Sequence, residues 1–432
     1  DGERVATFTG RVNANHGNPS ALGNIAGSTR VLQTDGTGDE QLSFSSGAYD
    51  FPGIIDEFRV TNTGLSADLI SNMYNSEKYP TNFVRDGIYL SETLSVGDSL
   101  NALYIEEGSN TVGIDETLSF IDSVTTTSDA EIETAWNKKV LSTNSTLVNG
   151  SSDISNVPIL VKLTNDPDLS PANVGSDGKG IRFTSDGSTI IDYEIEHYES
   201  PTATTGSVTA WVEIPTLDYN DNTYFYIHYG QPELSSTKYG VGVWDGDRDS
   251  ETSNTQQYVV VNHLHSTPNA DINDREIKGS ASLLNKDDFN AQNMNGESPV
   301  TGKIGLALDL DGNNEYICID EGQDEDGFNC DGGETSTIFD NNSTPAVDER
   351  SISLWYNADT IDDSNLGDIL FEEGGSTNGL NIYLKDSKVF AGAWTNEVSE
   401  KQWMSTATTA NEWHHVVFVF RGNSQNSELW HD

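Results

Sequence analysis

The chain has 432 residues, and its 22 Lys and Arg stand against 69 Asp and Glu, a formal net charge of −47. That balance argues against nucleic acid, whose phosphates need a basic face, and equally against anionic membrane surfaces. The length suits two to four domains, and no apolar run approaches the ~18 residues of a membrane span.

The N-terminus opens with Asp1-Gly2-Glu3-Arg4-Val5-Ala6, and the chain stops inside a strand-like run, Ser427-Glu428-Leu429-Trp430-His431-Asp432. Read end to start, these make strand, Asp-Gly turn, strand, a strong hairpin signal. The expectation is one domain cut in its turn, with Trp430, Asp432, Gly2 and Arg4 at the joint. It is closed either within the chain, as a circular permutant, or between the end of one copy and the start of the next.

Four segments follow along the chain. Residues 1–85 read as strands ending in a short helix, Ser66 to Tyr74, with Leu69, Ile70 and Met73 at helical spacing and Ser66 as N-cap. Residues 86–135 hold an internal repeat at a spacing of 24 residues: Glu92-Thr93-Leu94-Ser95 with Asp98-Ser99-Leu100 returns as Glu116-Thr117-Leu118-Ser119 with Asp122-Ser123-Val124. Two copies are too few for a self-supporting solenoid, so they read as an extended β connector or a flexible acidic linker. Residues 136–246 form a second β unit. Residues 247–432 form the last segment, with an acidic insertion between Asp320 and Glu334. Period-two alternation recurs in Thr223–Ile227, Ile352–Trp355, Leu380–Leu384 and Val416–Phe420. The fold class is therefore all-β: antiparallel β-sandwich or jelly-roll domains joined by a β-rich repeat connector.

Several clusters invite a chemical reading. Asp320, Asp324, Asp326 and Asp331 crowd one glycine-bearing loop, and Asp245, Asp247 and Asp249 alternate in another. Close carboxylates repel when unpaired, and calcium takes six to eight oxygens from such loops. The alternative is a solvated acidic loop, and Ser250 and Gln256 exclude a helix-loop-helix hand. Cys318 and Cys330 flank the acidic loop, either as a local disulfide fitting an extracellular setting or as two isolated thiols. Asn144, Asn149, Asn341 and Asn342 sit in glycosylation sequons. Asp56 and Glu57 are adjacent, so on a regular strand they point to opposite faces and cannot share a glycosidase cleft. His414 and His415 are adjacent too, and cannot ligate one metal from one face. His263 and His265 share a face, but two histidines alone make a poor zinc site. Trp394 and Trp403 read as sandwich core, with sugar stacking as the alternative. No Ser-His-Asp arrangement, phosphate loop or Cys-x-x-Cys pair occurs, and the chain reads as a non-enzyme.

Three stretches of the last segment carry a family resemblance: Leu308–Ile317 with its Asp311-Gly312 turn, Ser351–Tyr356 with Trp355, and Asn411–Val417 with Trp413-His414-His415. They resemble the first two-thirds of a laminin-G-like (concanavalin-A-like) jelly roll. Gly53–Val60 followed by Leu65–Ile70 resembles the closing strand and helix of the same family. On this resemblance, residues 247–432 are the N-terminal part of a sandwich and residues 1–85 of the next copy complete it. Val157–Leu163, Gly180–Thr184, Tyr193–Tyr198, Ala210–Pro215 and Phe225–Gly230 resemble an uncharacterised β domain that precedes such sandwiches in prokaryotic, archaeal-type surface proteins. The combination implies an extracellular structural repeat of a filament, sheath or surface layer. It would assemble head to tail with copies of itself, with calcium at the joints. The alternative is a glycan- or protein-binding adhesin module.

Overall fold

The structure is a computed structural model. It describes residues 3–9, 20–24, 28–32, 39–43, 49–87, 136–232, 242–244, 258–265, 289–292, 299–319, 349–361, 367–375, 377–395, 401–422 and 426–432. The 24-residue repeat, both acidic loops, Gly2 and Cys330 lie outside them.

Two compact units result, one of residues 1–74 with 244–432 and one of residues 75–243. In chain order the first begins with β1 (Glu3–Thr9), β2 (Ser20–Leu22), β3 (Ser28–Leu32), β4 (Asp39–Ser43), β5 (Pro52–Thr61) and helix α1 (Ala67–Lys78). Ser66 caps that helix through a hydrogen bond from the Leu69 amide to its hydroxyl at 3.3 Å, as its side chain predicts. The second unit holds α2 (Pro80–Phe83), β6 (Val84–Asp86), β7 (Asn137–Thr143), β8 (Ile154–Asp166), α3 (Pro171–Val174), β9 (Arg182–Thr184), β10 (Tyr193–Thr202), β11 (Thr205–Leu217) and β12 (Tyr224–Tyr229). The chain returns to the first unit with β13 (Tyr258–Asn262), β14 (Phe289–Gln292), β15 (Val300–Thr301), β16 (Leu306–Asp311), β17 (Tyr316–Ile319), β18 (Glu349–Ala358), β19 (Asp368–Gly374), β20 (Gly379–Lys385), β21 (Lys388–Trp394), β22 (Lys401–Ala407), β23 (His414–Arg421) and β24 (Asn426–His431).

The first unit is a two-sheet sandwich. One sheet is ordered β1-β24-β23-β18-β5-β16-β15, with β13 also on β5, and the other β14-β17-β2-β19-β20-β21-β22. Alternate residues of both sheets meet between them, including Ile352, Leu354, Phe418 and Leu429 from one and Leu370, Leu380, Ile382 and Val389 from the other. This is the alternation of inner and outer faces that aligned sandwiches require. On the outer face of the first sheet, Tyr74 of α1 stacks on Trp355 at 5.7 Å between ring centroids.

The two ends of the chain share this sandwich. Arg4 stands opposite Trp430 and Thr7 opposite Glu428, while β5 fills the interior position between β18 and β16. The joint expected between copies is thus made inside one chain, and the apolar face of residues 247–432 needs no neighbour to cover it.

The second unit pairs β10-β11-β8 in one sheet and β6-β7-β12-β9 in the other. Val84 stands opposite Thr143, so the segment from Asn75 onward belongs here, and the boundary expected at residue 85 moves back to Tyr74. A β6–β7 ladder outweighs mere proximity to the preceding helix, because each edge strand needs a partner for its backbone groups.

Candidate functional site

The outer face of the seven-stranded sheet is built by register. Ala21, Glu372, Asn381, Gly392 and Trp403 form one row across β2, β19, β20, β21 and β22. One step along lie Ile369, Tyr383 and Phe390, with Tyr383 and Phe390 stacked at 4.9 Å and 3°. The β3–β4 hairpin is tied onto this face. The Leu32 amide donates to the Tyr383 hydroxyl at 2.9 Å, Asn381 Nδ2 donates to Thr29 Oγ1 at 3.1 Å, and Lys385 Nζ donates to the Leu32 carbonyl at 3.2 Å. Val31 and Tyr49 fill the space over Ile369, Tyr383 and Phe390.

At the β21–β22 end, Trp394 and Trp403 stack at 6.3 Å and 7°. Trp394 is fully buried and donates its Nε1–H to the Gly375 carbonyl at 2.8 Å. Trp403 lies flat over Gly392, where a Cβ would come within 2.1 Å of its ring. The indole of Trp403 is partly buried, and its Nε1 has no hydrogen-bond partner among the described residues. That nitrogen is itself enclosed, so what the half-buried ring offers a ligand is its exposed apolar surface, on which a sugar can stack.

The acids and histidines singled out above are otherwise engaged. Asp56 Oδ2 accepts the Ile304 amide at 2.9 Å. Glu57 adopts φ 53° inside β5, beside a register shift in the β5–β18 ladder. Strict alternation therefore breaks there, and both acids are buried rather than one facing out. Glu57 pairs with Arg59, and His263 Nδ1 stands 2.9 Å from its Oε1. Burial pushes the Glu57 carboxyl up, but His263 and Arg59 outweigh it and hold it below the usual carboxylate range. His265 lies next to His263, their rings 6.1 Å apart.

His414 and His415 do point to opposite faces. Beside them, across the β23–β24 pair, the structure brings His431 and Asp432, which no local pattern joins to them. Burial, and next His414, lower His431 to about 4. Burial raises Asp432, yet hydrogen bonds from His414, the His415 amide and Tyr74 hold it well below the usual range.

In the second unit, three carboxylates surround one ammonium: Lys139 Nζ is 2.7 Å from Asp166, 2.9 Å from Asp168 and 3.1 Å from Asp86. Burial would lower that lysine, but its hydrogen bonds to Asp166 and Asp168 hold it above the ordinary lysine value.

Asp245, Asp247, Asp249, Asp320, Asp324, Asp326, Asp331, Asn341 and Asn342 lie outside the described residues, as do the Cys318 side chain and Cys330. Asn144 is buried, and its Oδ1 caps a 3-10 turn by accepting the Thr146 amide at 3.3 Å. That favours a capping role over a glycan. Asn149 is exposed.

Comparison with protein families agrees with this geometry. The model of the concanavalin A-like lectin/glucanases superfamily matches residues 331–429, and that of a domain of unknown function (DUF2341) matches residues 177–260. Each covers less than half of the chain. The fold and the first match define a concanavalin A-like sandwich. The second match starts within the 75–243 unit and runs past its end. Searches of curated proteins and of solved structures gave no match. No helix among the described residues is long and apolar enough to cross a membrane.

Proposed function

We infer that this chain is a non-catalytic binding module of an extracellular surface protein, and that it takes a neutral glycan on the outer face of the seven-stranded sheet beside Trp403. The observation that carries this reading is the Trp403 indole, laid flat on Gly392 and partly exposed on the outer face of a concanavalin A-like sandwich. The charge of −47 disfavours anionic polysaccharides. Catalysis by Asp56 and Glu57 is disfavoured because both are committed to structural contacts. A glycan array followed by calorimetry tests the reading. Binding of neutral oligosaccharides that Gly392→Ala abolishes supports it, and no binding by the folded protein refutes it.

A second reading is a structural unit of a filament, sheath or surface layer. It is favoured by one observation: the N-terminal part supplies both an edge strand and the interior strand β5. Exchange of that part between copies would repeat every pairing in a neighbour. Calcium in the 245–249 and 320–331 loops would then offset repulsion between copies. Electron microscopy with and without a chelator tests this. Polymers that shorten on chelation support it, and a uniform monomer in both conditions refutes it.

A further inference from the structure

Where β23 begins and β24 ends, one donor atom from each of His414, His431 and Asp432 lies within 4.8 Å of the other two. The register brings them there. Val416 stands opposite His431, so His414 and His431 are diagonal neighbours on one face, their rings stacked at 5.0 Å. Asp432 turns its carboxylate back toward them. Its Oδ1 accepts the His415 amide at 3.0 Å and lies 3.3 Å from His414 Nδ1, and its Oδ2 accepts the Tyr74 hydroxyl at 3.0 Å.

The surrounding hydroxyls engage the Nε2 atom of each ring. Thr409 Oγ1 is 3.0 Å from Glu412 Oε2 and 2.9 Å from His414 Nε2. A carboxylate only accepts, so Thr409 donates to Glu412 and its oxygen takes the Nε2–H of His414. The Tyr356 hydroxyl is 2.6 Å from Thr408 Oγ1 and 2.9 Å from His431 Nε2. Either hydroxyl of that pair can donate; when Tyr356 gives its proton to Thr408, it accepts the Nε2–H of His431. A neutral ring bonded in this way carries its lone pair on Nδ1, with the other nitrogen fixed from outside, as in metal-binding histidines. His414 Nδ1 faces a carboxylate oxygen at 3.3 Å, and a proton on Nδ1 or a metal ion in its place holds the two together.

We propose that His414, His431 and Asp432 bind one divalent transition-metal ion of the zinc class, through two imidazole nitrogens and one carboxylate oxygen. Calcium prefers an all-oxygen set, whereas two nitrogens and one oxygen suit zinc and its neighbours and leave a position for water. The ion ties β23 to β24 and, through the Tyr74–Asp432 hydrogen bond, to α1.

The test uses the full chain, stripped with a chelator and titrated with Co2+ and then Zn2+. One equivalent of Co2+ should give visible bands of a nitrogen-containing, low-coordinate site, and Zn2+ should displace them. Acidic oxygen-only loops do not give that signature. His414→Ala should lose the bands, Asp432→Asn should weaken binding at least tenfold, and His197→Ala, at an exposed position, should leave it unchanged. Should His414→Ala fail to fold by circular dichroism, Asp432→Asn, which keeps the side-chain shape, gives the reading. Absence of the bands in the parent protein, or equal Co2+ affinity in Asp432→Asn, overturns the proposal. So does an imidazole NMR titration in which His414 is charged at neutral pH and unmoved by Zn2+, because a proton then holds the pair.

Discussion

Arg350 on β18 reaches across the sandwich to Glu373 on β19, and both side chains are buried between the sheets. Burial lowers the Arg350 guanidinium to about 9, so it stays charged at neutral pH and needs the counter-charge of its partner. Replacing Glu373 by Gln removes the counter-charge and leaves the guanidinium stranded. The expected loss is about 3–5 kcal/mol, the usual cost of breaking a buried pair from one side. Urea unfolding of Glu373→Gln checks the loss. The double variant Arg350→Met, Glu373→Leu should be markedly less destabilised than the single one, since no buried charge then lacks compensation.

Gly392 makes room for Trp403, and a methyl group there displaces the indole. Gly392→Ala should red-shift tryptophan emission, cost about 1–3 kcal/mol as overpacking does, and abolish glycan binding. Fluorescence and calorimetry on the same sample read all three. An unshifted spectrum would mean that Trp403 does not rest on Gly392.

His228 in the second unit is buried, 2.8 Å from Thr184 Oγ1. Burial, and next the Lys138 charge, lower it to about 4 from an ordinary 6.5. The unfolded chain therefore binds more protons between those values, so stability is present above pH 6.5 and falls as pH drops toward 4. The full change is on the order of 3 kcal/mol. His228→Gln should flatten that part of the pH–stability curve of the second unit, read by thermal unfolding between pH 4 and 7.

Much of this was legible in the sequence because the strands announce themselves. Ile352, Leu354 and Tyr356 alternate with Ser351, Ser353 and Trp355, and β18 follows that pattern. The same holds for Leu380–Leu384 in β20, and Ser66 starts α1 as its hydroxyl implies. Local chemistry sufficed in each case. It failed where a contact depends on register between distant segments. Nothing in Ser28–Leu32 says that this hairpin lies on Asn381 and Tyr383, because polar, β-branched residues suit an exposed hairpin equally well. The regular alternation applied to Asp56 and Glu57 missed the positive φ at Glu57, and so missed that both acids are buried. For His414, adjacency to His415 speaks only of those two residues. Its partners His431 and Asp432 arrive through the β23–β24 ladder, and an alternation rule applied to one strand cannot see the next.

The account rests on one sandwich closed by both ends of a single chain. Cysteines at Thr7 and Glu428, which stand opposite each other in β1 and β24, test it directly. Equal amounts of unlabelled and 15N-labelled variant are mixed unfolded, refolded together, oxidised and mapped by mass spectrometry. Closure within the chain predicts that the Thr7→Cys and Glu428→Cys peptides are linked only light to light and heavy to heavy. Light-to-heavy links at the statistical share would contradict it and place the first strands of each copy in its neighbour.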